Sequence, residues 1–83
     1  MRVSTKGRYG LRAMVELALF YGKGPLPLRE IAEKQAISEH YLEQLMGNLR
    51  KDGLVKSVRG AKGGYKLAKA PKAITTEEIL VSL

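Results

Sequence analysis

Polar side chains that could bind a ligand lie along one face of a predicted helix in the middle of the chain. Large apolar residues recur there at spacings of three and four, which is the pattern of a helix with one buried face; they are Leu42, Leu45, Met46 and Leu49. The opposite face carries His40, Gln44 and Lys51, and Glu43 lies beside it. These groups could form hydrogen bonds with another molecule; an ordinary solvent-exposed face is the alternative.

Residues suited to each terminus mark the two ends of this helix. Ser38 is a good N-cap, and Gly53 can take the left-handed conformation that ends a helix. Together they predict a helix over residues 38–52. Gly47 lies on its polar face, although glycine within a helix costs about 1 kcal/mol relative to alanine. An outward-facing glycine suggests that another surface approaches closely.

Positive charge is concentrated in two segments of this 83-residue chain, whose net charge is +7. The first twelve residues contain no acid, and their cations are Arg2, Lys6, Arg8 and Arg12. Residues 50–72 contain only one acid, and their cations are Arg50, Lys51, Lys56, Arg59, Lys62, Lys66, Lys69 and Lys72. Two basic segments around a neutral-to-acidic remainder are the expected footprint of a surface that binds a polyanion. A generic basic protein is the alternative.

The composition argues against several other classes of protein. The chain has no cysteine and one histidine, which excludes disulfides and thiolate metal sites within it and gives little basis for a histidine cluster. No nucleophile–base pair or carboxylate pair is evident, so an enzyme is not predicted. There is no apolar run long enough to span a membrane and no signal peptide. We therefore expect a cytoplasmic protein without a membrane partner.

Two helices are predicted before the central one. The first runs over about residues 5–21, capped by Ser4 or Thr5, and its expected core face consists of Leu11, Met14, Val15, Ala18 and Leu19, widened by Tyr9, Leu17 and Phe20. The second covers about residues 28–35 and is followed by a tight turn at 36–38. A short helix, a three-residue turn and a longer helix with a polar outer face describe a helix-turn-helix.

A β-hairpin with a basic, glycine-rich tip is predicted directly after this motif. Residues 54–58 and 65–68 are β-prone, and the loop between them carries Arg59 and Lys62 among glycines that let the backbone approach a phosphate or a narrow groove. A nucleotide-binding glycine loop is the rival interpretation, but neither of its spacing patterns is present. The fold class is therefore mainly α with a small β-hairpin, a winged helix-turn-helix over residues 1–83 with its wing at 54–68.

The last ten residues contain complete start signals for another helix. Thr75 and Glu78 form a capping box, and Ile74 with Ile79 forms a hydrophobic staple. A helix is predicted over about 75–83, and the chain stops within about two turns of its start. We therefore expect a domain of a longer protein. Its last apolar residues are expected to begin a subunit interface, and these are Leu80, Val81 and Leu83.

Three blocks of the chain resemble the DNA-binding domain of one bacterial family, the iron–sulfur-cluster regulators and cysteine-metabolism repressors of the IscR, NsrR and CymR type. The blocks are residues 4–9, 37–45 and 53–65. The resemblance implies a winged-helix transcription regulator that acts as a repressor in the cytoplasm and binds a palindromic operator in double-stranded DNA as a homodimer. In that family the dimer is built by a long C-terminal helix, which here would lie beyond Leu83. A [2Fe-2S] cluster is implied only if cysteines lie beyond Leu83, and no cofactor is expected in this chain.

The resemblance also implies roles for individual residues. Glu43 and Gln44 match the base-reading positions, Ser38 and His40 lie at the helix start near the DNA, and Arg59 matches the arginine of the wing. By hydrogen-bond chemistry, Glu43 could accept from cytosine N4, Gln44 could pair with adenine, and Arg59 could enter the minor groove. The other DNA contacts expected are Lys51 and Lys62, and at the N-terminus Arg2, Lys6, Arg8 and Tyr9. An RNA-binding winged helix and a protein-interaction module are the alternatives.

Overall fold

The computed structural model describes residues 3–83, so Arg2 lies outside the described part of the chain. The elements follow in the order α1 (Thr5–Leu19), α2 (Leu28–Gln35), α3 (Glu39–Lys51), β1 (Val55–Val58), β2 (Gly64–Leu67), a 3-10 helix (Pro71–Ala73) and α4 (Thr76–Ser82). This is the order of a winged helix-turn-helix, and it confirms the predicted fold class. Helix α1 ends two residues before the predicted position 21, because the chain turns at Phe20 and the Tyr21 N–H bonds to the Ala18 carbonyl.

Side-chain caps begin three of the four helices. The hydroxyl of Ser4 accepts from the Gly7 N–H at 3.0 Å, and that of Ser38 accepts from the Tyr41 N–H at 3.0 Å. The predicted capping box at α4 is present: Thr75 Oγ1 accepts from the Glu78 N–H, and Glu78 Oε1 accepts from the Thr75 N–H, both at 3.0 Å. These bonds satisfy N–H groups that a helix start otherwise leaves without a partner.

The turn between α2 and α3 depends on Ala36, which has φ 54° and is the one non-glycine residue with positive φ in the described range 3–83. The left-handed conformation costs an L-residue roughly 1–2 kcal/mol. It lets the Ile37 N–H bond to the Ala32 carbonyl at 3.1 Å, which closes α2. The turn ends at Ser38, which is the N-cap of α3, so α3 begins at the next residue.

The two strands of the wing pair antiparallel, with Val55 opposite Leu67 and Val58 opposite Gly64. Leu26, in the loop between α1 and α2, extends this sheet: its N–H and carbonyl bond to the carbonyl and N–H of Tyr65 at 2.8 and 2.9 Å. This pairing of Leu26 with the wing was not predicted. It ties the base of the wing to the helical part of the domain.

The buried face of α1 differs from the predicted one. Met14 and Leu17 are buried as expected, but the other buried positions are the small residues Gly7, Gly10 and Ala13. Val15 is 56% exposed and Leu19 is 73% exposed, so the prediction that they lie in the core is wrong. The reason is that small residues on the inner face admit α4 at close range, and the resulting rotation of α1 leaves Val15 and Leu19 on its outer side.

Helix α4 contacts α1 through these glycines. A Cβ at Gly7 would meet Leu80 Cδ2 at 2.9 Å, and a Cβ at Gly10 would overlap the side chain of Leu83. Leu83 therefore packs against the domain core, and Leu80 lies against α1 at Gly7. That Leu80, Val81 and Leu83 begin a subunit interface stays a prediction. Val81, which is 80% exposed, is the member of that trio that points to solvent.

Candidate nucleic-acid interface

The polar face of α3 lies open on the surface. Leu42, Leu45, Met46 and Leu49 are each at most 1% exposed, which fixes the rotation of the helix. The opposite side consists of exposed side chains, namely Ser38, His40, Glu43, Gln44 and Lys51. A Cβ placed on Gly47, between them, would have no atom within 4 Å in the described residues. The helix therefore presents a polar surface with a shallow point at its centre.

The Glu43 carboxylate has no ion-pair partner among residues 3–83. The two ion pairs in that range join Lys34 to Glu16 at 3.1 Å and Lys69 to Glu78 at 3.4 Å. An acid beside a polyanion-binding surface would ordinarily be paired with a neighbouring cation to reduce repulsion. The acceptor atoms of Glu43 are instead free for another molecule.

The N-terminal cations are joined to the start of α3 through two tyrosine rings. The rings of Tyr9 and Tyr41 meet edge to face, with centroids 6.1 Å apart and planes at 87°. The guanidinium carbons of Arg8 and Arg12 lie 5.9 and 5.6 Å from the centre of the Tyr9 ring. Both arginines and Lys6 are exposed. The first basic segment is thereby held beside the N-terminal turn of the polar helix.

The second basic segment adjoins the C-terminal end of α3. Arg50, Lys56 and Arg59 line one shallow groove between the end of that helix and the wing. The sequence predicted Arg59 as a DNA contact and placed Arg50 and Lys56 only in the basic segment 50–72. The groove that the three share depends on how the wing folds back against the end of α3, which the charge pattern does not report.

The wing carries several positive charges, and their mutual repulsion lowers the stability of the hairpin. Lys56 pairs directly with Lys66 across the two strands, and like charges in that position repel. Arg59 and Lys62 follow in the exposed loop. Binding of an anion to the wing would remove this repulsion, which would explain why the cations are there.

Glycines of the wing loop serve the fold as well as any ligand. Gly64 has φ +150°, and a Cβ there would overlap the Leu26 carbonyl that bonds to Tyr65. Gly63 is likewise closed in by the Val58 carbonyl oxygen. Both are therefore required by the hairpin's own backbone, and the positive φ of Gly64 agrees with the expected conformation. That the loop lets its backbone approach a phosphate stays a prediction.

Two further properties concern the described residues alone. No helix within residues 3–83 is long and apolar enough to cross a membrane. No group of three or more metal-binding side chains is close enough together in that range to hold a metal ion, and the sequence has no cysteine.

Comparison with known proteins identifies a family for this architecture. A family model described as Rrf2, iron-dependent transcriptional regulator, matches residues 3–83. The HTH-type transcriptional regulator CymR of Bacillus subtilis is 58% identical over 80 residues, which are 96% of this chain and 58% of that protein. The HTH-type transcriptional regulator IscR of Erwinia tasmaniensis is 51% identical over 83 residues, which are 100% of this chain and 50% of that protein. These relatives are regulators and not enzymes, as predicted for this chain.

Solved structures agree with the sequence relatives. The structure of CymR (YrzC), the global cysteine regulator of B. subtilis, superimposes with a TM-score of 0.96 at 55% identity, covering 100% of this chain and 64% of that one. The structure of T. potens IscR gives a TM-score of 0.92 at 57% identity, with 100% and 61% covered. The chain spans about half the length of the curated relatives it matches. It belongs to the Rrf2 family of transcriptional regulators.

Proposed function

We propose that this chain is the operator-binding domain of a bacterial transcription repressor, with α3 in the major groove and the wing in the adjacent minor groove of double-stranded DNA. The observation that carries the proposal is the position of cations at both ends of one open polar helix. Arg8 and Arg12 adjoin its N-terminal turn through Tyr9, and Arg50 and Arg59 share a groove at its C-terminal end. A duplex presents phosphates on both sides of a groove that admits a helix, which matches this arrangement.

Each exposed group then has a role set by its hydrogen-bond chemistry. Glu43 accepts from the N4 amino group of cytosine, and Gln44 pairs with adenine. Arg59 enters the narrow minor groove, where the negative potential is strongest. Phosphate contacts come from the flexible cations, namely Lys6, Arg8, Arg50, Lys51, Lys56 and Lys62. Such contacts fix the orientation of a protein on DNA, whereas base contacts determine its choice of sequence.

The regulator acts as a homodimer on a palindromic operator, in the cytoplasm. Exposed apolar surface on α1 supports this, because Val15 and Leu19 lie on the side of that helix away from the core. Two solvent-exposed aliphatic side chains one turn apart are suited to contact with a second copy. The resemblance to the family implies the same state, built there by a C-terminal helix.

Fluorescence anisotropy with a labelled palindromic duplex tests the proposal. We expect binding that weakens steeply as salt is raised, with a log–log slope of about −0.9 per phosphate neutralised. Lys62→Ala should weaken specific and random duplexes about equally and make the slope shallower by roughly one contact. Lys23→Ala, which removes the same charge from an exposed position between α1 and α2 and outside both basic segments, is the matched control.

Two results would contradict the proposal. Affinity for duplex DNA that does not change with salt would remove the electrostatic basis. Stronger binding to a structured RNA of equal length, measured in the same buffer, would favour the RNA-binding alternative instead.

A further inference from the structure

His40 and Gln44, one turn apart on the polar face of α3, are joined by a side-chain contact. The Nε2 atoms of the two residues lie 3.3 Å apart. An amide nitrogen is a donor and never an acceptor. With the amide nitrogen of Gln44 turned toward the ring, the contact is a hydrogen bond when the imidazole Nε2 accepts, which requires the neutral tautomer with its proton on Nδ1.

This contact leaves a particular set of groups free on Gln44. A primary amide has one oxygen and two N–H donors, and one N–H is used by His40. The oxygen and the second N–H remain, and they are adjacent on the amide. Adenine presents one acceptor, N7, and one donor, the N6 amino group, in the major groove. The free atoms of Gln44 match that pair.

A charged histidine would demand the opposite orientation. Both nitrogens of an imidazolium ring are donors, so Gln44 could keep the contact only by turning its oxygen toward His40. Its two N–H groups would then face the DNA and suit guanine, which presents the acceptors N7 and O6. Glu39 and Glu43 are the acids within one turn of His40 on α3, and no side chain of another element in the range 3–83 has a hydrogen bond or ion pair with it.

We propose that His40 is a positioning residue that orients the Gln44 amide toward adenine. The inference rests on the proposed function, since it needs Gln44 to face a base. It assigns His40 a role in sequence choice beyond simple proximity to the DNA.

Competition titrations with an operator duplex, selected from a random library, and its single-base variants test the proposal. The wild-type protein should prefer A·T over G·C at one position by roughly tenfold, which is within what one bidentate base contact discriminates. His40→Ala should lose the preference, and His40→Asn, whose amide can form a hydrogen bond with Gln44 one turn away, should retain it.

A double-mutant cycle separates positioning from direct contact. In a Gln44→Ala background, His40→Ala should leave the A·T to G·C ratio unchanged, because the amide on which it acts is gone. The proposal is wrong if His40→Ala binds the duplex with the wild-type ratio, or if it alters the ratio equally in the Gln44→Ala background. Failure of the wild-type protein to bind any duplex would overturn the proposed function itself.

Discussion

The ring of Tyr9 on α1 meets the ring of Tyr41 on α3 edge to face, at a centroid separation of 6.1 Å. The two residues are 32 positions apart in sequence, yet the contact fixes where the N-terminal cations lie relative to the polar helix. Arg8 and Arg12 approach the Tyr9 ring, so their guanidinium groups depend on the same aromatic pair. The Tyr9–Tyr41 contact therefore both packs α1 against α3 and fixes the position of the Arg8 and Arg12 side chains.

The first prediction concerns the energy of this pair. Edge-to-face aromatic pairs contribute roughly 0.5–1.5 kcal/mol beyond the area they bury. Tyr9→Leu and Tyr41→Leu should each destabilise the domain, and the double variant should be less destabilised than the sum by about that amount. Urea unfolding of the four proteins measures the coupling. Strict additivity would show that the rings do not stabilise one another.

The second prediction separates stability from DNA binding at Gly47. The position is helical and a Cβ would meet no atom within 4 Å, so Gly47→Ala should raise the free energy of unfolding by about 0.5–1 kcal/mol. If DNA approaches the helix there, the same variant should bind an operator more weakly, and Gly47→Ser more weakly still. Thermal unfolding and anisotropy on the same samples compare the two effects. Stabilised variants with unchanged affinity would mean that DNA does not approach Gly47.

Local signals in the sequence were sufficient for the helix ends and for the polar helix face. Ser38, Thr75 and Glu78 form their caps with residues three positions away, so no distant contact was needed to predict them. The exposed side chains of α3 follow from the spacing of its buried leucines. Periodicity alone therefore placed Glu43 and Gln44 correctly on the surface.

Features that depend on close approach between distant segments were not predictable in this way. Apolar periodicity takes no account of glycine, so it placed Val15 and Leu19 in the core and missed the glycines on which α4 packs. The pairing of Leu26 with Tyr65 joins segments 39 positions apart through backbone atoms, which side-chain patterns do not report. The groove shared by Arg50, Lys56 and Arg59 likewise depends on how the wing packs against the end of α3.

The third prediction concerns pH and helix α4. The hydrogen bond from the Thr75 backbone N–H, assisted by Lys69, lowers the pKa of Glu78 below its ordinary value of 4.5. A carboxyl whose pKa is lowered by folding stabilises the folded protein above that ordinary value, and the contribution is lost as the pH falls through the lower, folded value. Glu78→Gln should therefore reduce the melting temperature at neutral pH more than at acid pH.

A matched control for this measurement is Glu77→Gln, because Glu77 is exposed in the same helical turn but has no side-chain hydrogen bond among the described residues. Its effect on the melting temperature should depend less on pH. Equal pH dependence for the two variants would mean that the capping box is not the cause.

The last prediction concerns specificity and distinguishes α3 from the wing. Glu43 is an anion without an ion-pair partner among residues 3–83, on the face that we propose meets DNA, so its charge should weaken binding to phosphate in general. Its presence is explained if it accepts from cytosine and repels bases that present only acceptors at that position. Glu43→Ala should then broaden the choice of operator while keeping or raising affinity for random DNA.

Arg59→Ala should behave in the opposite way, losing affinity for most sites and most strongly where the flanks are rich in A·T, because those minor grooves are narrow. An unfavourable base contact costs roughly 1–3 kcal/mol, which a competition titration across single-base operator variants can resolve. Both variants should unfold at nearly the wild-type temperature, since both side chains are exposed. If Glu43→Ala lowers affinity equally for every duplex and leaves their ranking unchanged, Glu43 does not discriminate between bases and has a structural role in α3.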